Sequence, residues 1–292
     1  MPYPSSRSRR IDRIMSKFSQ LLQDVLRLCS KYYPIYLSGM KNTVLLALIG
    51  TVLGCVIGFV CGVLNTIPLD PRDPFRKRAL VKCVRGVIRA YVELFRGTPM
   101  VLQAVFIYYA LPYFTDGAAR FSSVWAASIL VVSVNTGAYM TESVRGGIIS
   151  VDPGQVEGAM AIGLTYVQAM MYVILPQAVR SILPQIGNNF IINLKDTSVM
   201  FMISFTDFFA AHRGVVGATY LYFPSAVIEM IGYLTMTLIS SFFLRRMEQR
   251  LEGSSSFELV VADPLTLTSG VYRNPESDEL FRERSRDYTG KD

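Results

Sequence analysis

The chain has 292 residues, of which 51% are hydrophobic and 17% charged, and its formal net charge is +7. This apolar composition excludes an ordinary soluble domain and indicates several membrane-spanning helices. The single histidine and the four cysteines, none of which has metal-ligand spacing, argue against a His-based metal site or a catalytic triad.

The N-terminal segment, residues 1–34, is basic, and its apolar residues recur at helical spacing. This pattern predicts an amphipathic helix at the membrane surface, because its charges prevent it from spanning. The uncharged run that follows predicts a first span at about 35–67. Glycines recur every four residues in this span, from Gly50 to Gly62, which predicts close packing against another helix.

Four further segments have the apolar length of a span. They are predicted at about 86–113, 122–144, 174–205 and 219–244, so that the membrane domain covers 35–246. The second span begins with polar residues and contains Pro99, so a bend is expected there. Residues 247–292 are polar and low in aromatics, which predicts a flexible cytoplasmic tail, with a partner-binding extension as the alternative.

The distribution of basic residues predicts the orientation of the spans. The basic loop after the first span, segment 150–173 and the Arg245–Arg246 pair are placed in the cytoplasm, and the loops at 114–121 and 206–218 outside. With five spans the basic N-terminal segment falls outside. Two alternatives stay open: it binds anionic headgroups on the outer surface, or the chain makes an additional crossing.

The most informative segment lies between the third and fourth spans. Asp152 and Pro153 predict the start of a short helix, and Gly163 predicts its end. Thr165 and Gln168 have the spacing of a capping box for the next helix. Such a hairpin between two apolar regions favours a docking element, and the alternative is an ordinary amphipathic hairpin.

Seven residues in and after this hairpin form a motif. They are Glu157, Gly158, Ala159, Gly163, Val173, Leu175 and Pro176. The motif resembles the EAA loop of permease subunits in ATP-binding-cassette (ABC) importers, with Gly158 and Val173 in place of the usual Ala and Ile. In that family the loop is a cytoplasmic coupling helix that binds a groove of the ATPase subunit. The resemblance implies this coupling role for the six residues other than Val173.

Three other motifs occur in the family's order between about residues 39 and 250. They are ELFRGTP at 93–99, GAYMTE at 137–142 and NLKDTS at 193–198. They resemble permeases of polar amino acid importers, of the histidine, glutamine, glutamate or arginine type. The resemblance implies an all-α integral membrane protein with about five transmembrane helices and a cytoplasmic coupling helix. It also implies a type I importer fold and a multi-pass location in the cell inner membrane.

The resemblance also implies several partners. A second permease, identical or related, would complete the translocation path, and an external solute-binding protein would deliver a polar amino acid. An ATPase dimer would bind ATP and Mg²⁺. The chain itself lacks the G-x-x-x-x-G-K-[ST] loop that cradles nucleotide phosphates, so we expect it to be neither an enzyme nor the holder of a cofactor. No nucleic-acid partner is expected.

Charged and polar residues inside the predicted spans are candidates for substrate contact, because such residues are costly in lipid. Asp196 and Glu142 are candidates for holding the ammonium group of an amino acid. Thr197, Asn135 and the backbone near Leu111 are candidates for further polar contacts.

Each of the two carboxylates also has a structural alternative. Asp196 has Lys195 and Arg96 as candidate ion-pair partners, and Glu142 has Arg145, three residues later on the same helix.

Two further groups in the spans have open or structural roles. Arg96, Gly97 and Pro99 are assigned to the bend and to gating. Glu229 stands alone near the middle of the fifth span and needs a partner or a proton. Pairing across a subunit interface and tuning of substrate choice stay open for it.

Two other function classes are alternatives to an ABC permease. A proton- or ion-coupled secondary transporter would use Asp196, Glu142 and Glu229 as relays, but such folds usually show inverted repeats and more spans. An intramembrane enzyme is disfavoured, since the sequence contains neither H-E-x-x-H nor G-x-S-x-G. The amino acid carried, and the choice between homodimer and heterodimer, stay open.

Overall fold

The computed structural model describes residues 6–251, and the side chains of residues 12–250. This part of the chain consists of helices and short connections, without a strand. The expectation of an all-α protein is therefore confirmed. Most of the predicted tail, from residue 252 onward, lies outside the described residues.

The helices follow one another with short loops. They are α1 (Ser6–Thr66), α2 (Phe75–Gly97), α3 (Met100–Phe114), α4 (Val124–Ile149), α5 (Pro153–Ala161), α6 (Tyr166–Ala169), a π-helical turn (Met170–Ile174), α7 (Leu175–Asp196), a 3-10 helix (Thr197–Ile203), α8 (Phe208–Thr219) and α9 (Tyr222–Leu251). Three of these helices are long and apolar enough to cross a membrane, and the number rises to five if each of two bent helix pairs is one span.

The N-terminal segment and the first span form a single helix, α1, of 61 residues. The sequence predicted two separate helices, and an additional crossing within this segment would need a chain reversal that α1 does not contain. Leu28 and Tyr36 of α1 are buried with Phe208 and Val215 of α8. This packing extends the bundle well before the predicted start of the span, because residues 28–36 already have apolar partners.

The glycine face of α1 packs on α4, which confirms the close helix packing that the sequence predicts and identifies the partner helix. A Cβ added at Gly54 would lie 2.6 Å from Thr136 Cβ, and one added at Gly62 would lie 2.6 Å from Val144 Cβ. Real Cβ atoms do not approach so closely, so only glycine permits this separation of the two helices.

The bend expected in the second span is present, and one predicted loop contains a helix. The predicted second span, 86–113, contains a 114° bend between α2 and α3. Segment 206–218, predicted as an outer loop, contains most of α8. Asp207 starts this helix, because its side chain accepts a hydrogen bond from Ala210 N at 2.8 Å, and burial of Phe208 and Val215 holds it against the bundle.

The loop before α2 is held by an exposed ion pair. Lys77 Nζ donates to Asp73 Oδ1 at 2.7 Å. This hydrogen bond holds the pKa of the Asp73 carboxyl below its ordinary value. The basic start of α2 is thereby tied to the loop that leaves α1.

Candidate functional site

The hairpin between α4 and α7 begins as its cap residues predict. Asp152 Oδ1 accepts a hydrogen bond from Gly154 N at 2.7 Å, and Pro153 occupies the first position of α5. An aspartate cap and a proline at the first helical position satisfy or remove donors that the helix itself leaves unpaired. The predicted start of the short helix is confirmed.

Gly163 ends α5 with a backbone conformation that favours glycine. Its φ is +92°, and its N–H donates to Met160 O at 3.0 Å. Leu164 N donates to Ala159 O at 3.1 Å. These two bonds form a Schellman motif, which reverses the chain and confirms the predicted end of the helix.

The second arm of the hairpin starts with the predicted capping box. Thr165 N donates to Gln168 Oε1 at 2.8 Å, and Gln168 N donates to Thr165 Oγ1 at 3.3 Å. Two backbone donors at the start of α6 are thus satisfied by this pair of side chains.

The hairpin joins α7 through the π-helical turn. Leu175 N donates to Met170 O, five residues earlier, and Pro176 has no N–H to donate. The side chain of Gln177 donates to Val173 O at 2.9 Å. Leu175 is half-buried and Pro176 is exposed, so these two motif residues lie where the hairpin returns to the bundle.

The exposed surface of the hairpin is largely apolar. Met160 is 51% exposed and Ile162 is 81% exposed, while Ala159 is only 6% exposed. Glu157 and Gly158 are also exposed. The side chain of Ala159 therefore packs inside the subunit, and the neighbouring Met160 and Ile162, which the sequence motif did not single out, form the outward face.

A charged cavity of about 670 Å³ lies between α2, α4 and the C-terminal end of α1. Its ionisable lining residues are Arg85, Arg89, Glu93, Arg96, Glu142 and Arg145. Among the residues predicted to contact substrate, only Glu142 lines this cavity.

Three of the arginines in the cavity have contacts within the subunit. Arg145 Nη2 lies 3.1 Å from Glu142 Oε2, so the ion pair given as the structural alternative for Glu142 is present. Arg96 Cζ lies 5.4 Å from the centre of the Tyr139 ring. Arg85 Nη2 donates to the backbone carbonyl of Ile67.

The break between α2 and α3 is bridged by two amide side chains. Gln103 Nε2 donates to Phe95 O at 2.9 Å and to Thr98 O at 2.8 Å. Asn135 Nδ2 donates to Gln103 Oε1 at 2.9 Å. These bonds satisfy carbonyls that the broken helix leaves free. Asn135, a candidate for substrate contact, is therefore used at the bend in this structure.

The residues assigned to the bend lie at the break itself. Gly97 is the last residue of α2, and Pro99 immediately precedes α3 with an extended backbone. Pro99 O accepts a hydrogen bond from Leu102 N at 3.0 Å. Arg96 lies on the cavity side of the same break.

The remaining substrate candidates lie apart from the cavity. Asp196 is exposed at the end of α7, and among the described residues no Lys or Arg nitrogen lies within 4.0 Å of its carboxylate. The structural alternative for Asp196, an ion pair with Lys195 or with Arg96, is therefore not observed in this part of the chain. Thr197 is fully buried, and its Oγ1 donates to Leu194 O at 3.3 Å. Leu111 O accepts a hydrogen bond from Thr115 Oγ1 at 2.7 Å.

Glu229 has a partner within its own chain. Its Oε2 lies 3.7 Å from Nδ1 of His212, which is 1% exposed. The same nitrogen lies 2.9 Å from Ser225 Oγ, which in turn lies 2.7 Å from Tyr36 OH. The sequence did not associate His212 with Glu229, because the two residues come from different helices.

Comparison with known proteins assigns the chain to a family. Residues 78–253 match the family described as binding-protein-dependent transport system inner membrane component. The glutamine transport system permease protein GlnP of Escherichia coli is 32% identical over 220 residues, 75% of this chain and 94% of GlnP. The arginine transport system permease protein ArtQ of Bacillus subtilis is 29% identical over 221 residues, 76% of this chain and 94% of ArtQ.

Solved structures show the same relationship. A chain in the crystal structure of an amino acid ABC transporter with histidines is 32% identical, with a TM-score of 0.66, covering 76% of this chain and 96% of that one. A chain of the inward-facing MetNI methionine ABC transporter has a TM-score of 0.59 at 16% identity, covering 74% of this chain and 96% of that one, and so shows the shared fold alone. These matches favour a permease over an ion-coupled secondary transporter. The chain belongs to the binding-protein-dependent transport system inner membrane components, the permease subunits of ABC importers.

Proposed function

We propose that this chain is the permease subunit of an ATP-driven importer of polar amino acids. The observation that carries the proposal is the capped hairpin of α5 and α6, whose outward face is apolar and stands at the end of a long apolar bundle. The glutamine and arginine permeases among its relatives support amino acids as substrates. A second permease subunit, identical or related, completes the translocation path, and an external solute-binding protein supplies the substrate.

The hairpin docks on the ATPase dimer, which binds ATP and Mg²⁺. Exposed Glu157, Gly158, Met160 and Ile162 form the docking face, and buried Ala159 anchors that face to the subunit. Gly163 fixes the angle between the two arms. Closure of the ATPase dimer on ATP moves the hairpins, the spans open outward, and hydrolysis resets the cycle.

The substrate path is lined by the two carboxylates predicted for it. Glu142 lines the charged cavity. Asp196 is exposed on this subunit, and an exposed carboxylate against lipid is costly, so its position supports a place on the path or at the contact with the second permease. Each carboxylate can accept a hydrogen bond from a substrate ammonium group.

Substitution of Gly163 tests the coupling role. Gly163→Val forces a β-branched residue to a φ of +92°, and we expect the permease to insert in the membrane while its ATPase fails to co-purify. Gly214→Val is the matched control, because Gly214 lies on α8 in open space. Normal co-purification of Gly163→Val with the ATPase would count against the docking proposal.

A further inference from the structure

The cavity between α2 and α4 has an excess of positive charge. Four arginines less two glutamates leave a net charge of +2 in its lining. Its volume of about 670 Å³ falls within the range of small-molecule sites, about 300–1,000 Å³.

The charges converge because of their positions on two helices. Arg85, Arg89 and Glu93 follow one another at intervals of four residues along α2, and Arg96 lies three residues further, so all four occupy one helix face. Helix α4 contributes Glu142 and Arg145 from the opposite wall. The cavity is therefore a single space with cations on both sides.

Among the described residues, only one of the four arginines in the lining forms an ion pair. Arg145 is paired with Glu142, but among the described residues no carboxylate oxygen lies within 4.0 Å of the nitrogens of Arg85, Arg89 or Arg96. Arg85 Nε is also buried without a hydrogen-bond partner in this part of the chain. A buried donor without an acceptor is unfavourable unless a ligand or water supplies one.

We propose that this cavity binds amino acids with an acidic side chain and selects them over cationic ones. The inference rests on the proposed function and specifies its substrate class. An acidic amino acid carries two carboxylates and one ammonium group at neutral pH. Its carboxylates pair with the arginines by charge-assisted hydrogen bonds, and its ammonium group pairs with Glu142 or Glu93, which both line the cavity.

The same charge balance disfavours cationic substrates. A lysine- or arginine-like substrate brings a second positive group into a space that already holds four guanidinium groups. Like charges in a partly enclosed site repel more strongly than in bulk water. A neutral substrate such as glutamine lacks the second carboxylate and is expected to bind with intermediate affinity.

Ligand binding to the whole transporter tests this proposal. The permease is purified with its ATPase and second permease subunit, and binding of radiolabelled glutamate, glutamine and arginine is measured. We expect glutamate to bind at least about tenfold more tightly than arginine. This is the factor in affinity that one charge-assisted hydrogen bond typically contributes. Arg89→Gln is expected to weaken glutamate binding about tenfold and glutamine binding much less.

A matched variant and a conservative one control the measurement. Arg78→Gln removes the same charge from the same helix, but Arg78 is exposed and lies outside the cavity lining, so glutamate binding should be unchanged. Arg89→Lys retains the charge and should retain the preference for glutamate. If Arg89→Gln fails to fold, competition between glutamate and arginine for the wild-type transporter still measures the selectivity.

The contradicting outcomes are separable. Equal affinity for glutamate and arginine in a complex that still holds its ATPase would overturn the acidic selectivity and leave the importer function standing. Failure of the ATPase to co-purify with the wild-type permease would instead contradict the importer function. Anionic lipid headgroups offer the same anionic chemistry, so binding is repeated in nanodiscs with and without phosphatidylglycerol. If the cavity retains phosphatidylglycerol and binds no amino acid, it is a site for lipid headgroups, and the proposal is overturned.

Discussion

Ser225 connects side chains from three helices. Its Oγ lies 2.7 Å from Tyr36 OH of α1 and 2.9 Å from His212 Nδ1 of α8, and Ser225 itself belongs to α9. All three side chains are buried. The hydroxyl satisfies two polar groups that have little access to water, so it contributes to the packing of α1, α8 and α9.

Removal of this hydroxyl is expected to destabilise the subunit. Ser225→Ala leaves Tyr36 OH and His212 Nδ1 without this partner, and a buried unpaired polar group costs about 1–3 kcal/mol. Thermal denaturation of the purified transporter measures the effect as a lower midpoint. Ser122→Ala, in an exposed connection before α4, is the control. Equal midpoints for the two variants would show that the network has no stabilising role.

Residue-scale features divide into those that sequence predicts and those it does not. The Glu142–Arg145 pair was predictable, because it depends on a spacing of three residues in one helix. The contact of His212 with Glu229 depends on the packing of α8 against α9, and sequence spacing does not determine that packing. For the same reason Asn135 was assigned to substrate, although its amide bonds to Gln103 on a different helix.

At the scale of elements, the hairpin was the most predictable part of the structure. The caps at Asp152, Gly163 and Thr165 act within a few residues, so their sequence pattern was sufficient to place both arms. The 114° break between α2 and α3 was expected at Pro99 as a bend, but the hydrogen bond from Asn135 of α4 to Gln103 beside the break was not expected. Helix α8 has only 12 residues and is too short to span, so the sequence pattern places it, with its cap Asp207, in a loop.

The contact between α1 and α4 gives a prediction at this scale. Gly58→Val places a Cβ 2.8 Å from the backbone carbon of Met140, so the two helices must separate. Overpacking of this kind typically costs about 1–3 kcal/mol. Gly146→Val is the matched control, because a Cβ at Gly146 meets no atom within 4 Å. We expect a lower denaturation midpoint for Gly58→Val than for Gly146→Val. Equal midpoints for the two variants would contradict the close packing of α1 on α4.

At the scale of the whole molecule, the hairpin and the charged cavity are connected through helix α4. Helix α4 contributes the cavity residues Glu142 and Arg145 near its C-terminal end, and the hairpin follows a few residues later. If an ATPase moves the hairpin, as proposed, we expect the wall of the cavity that α4 forms to move with it. This connection relates the proposed docking of an ATPase to the proposed passage of substrate.

The side of the membrane on which the hairpin lies is the central claim of this account. Cysteine labelling tests it with Ile162→Cys, which is 81% exposed on the hairpin, and Tyr220→Cys, which is 90% exposed in the connection between α8 and α9. Exposed Cys29 and Cys83 are first replaced by serine. A membrane-impermeant maleimide should label Ile162→Cys only in inside-out vesicles and Tyr220→Cys only in right-side-out vesicles, and the ATPase should protect Ile162→Cys. Labelling of Ile162→Cys from the outside, or its full reactivity in the assembled transporter, would contradict the account.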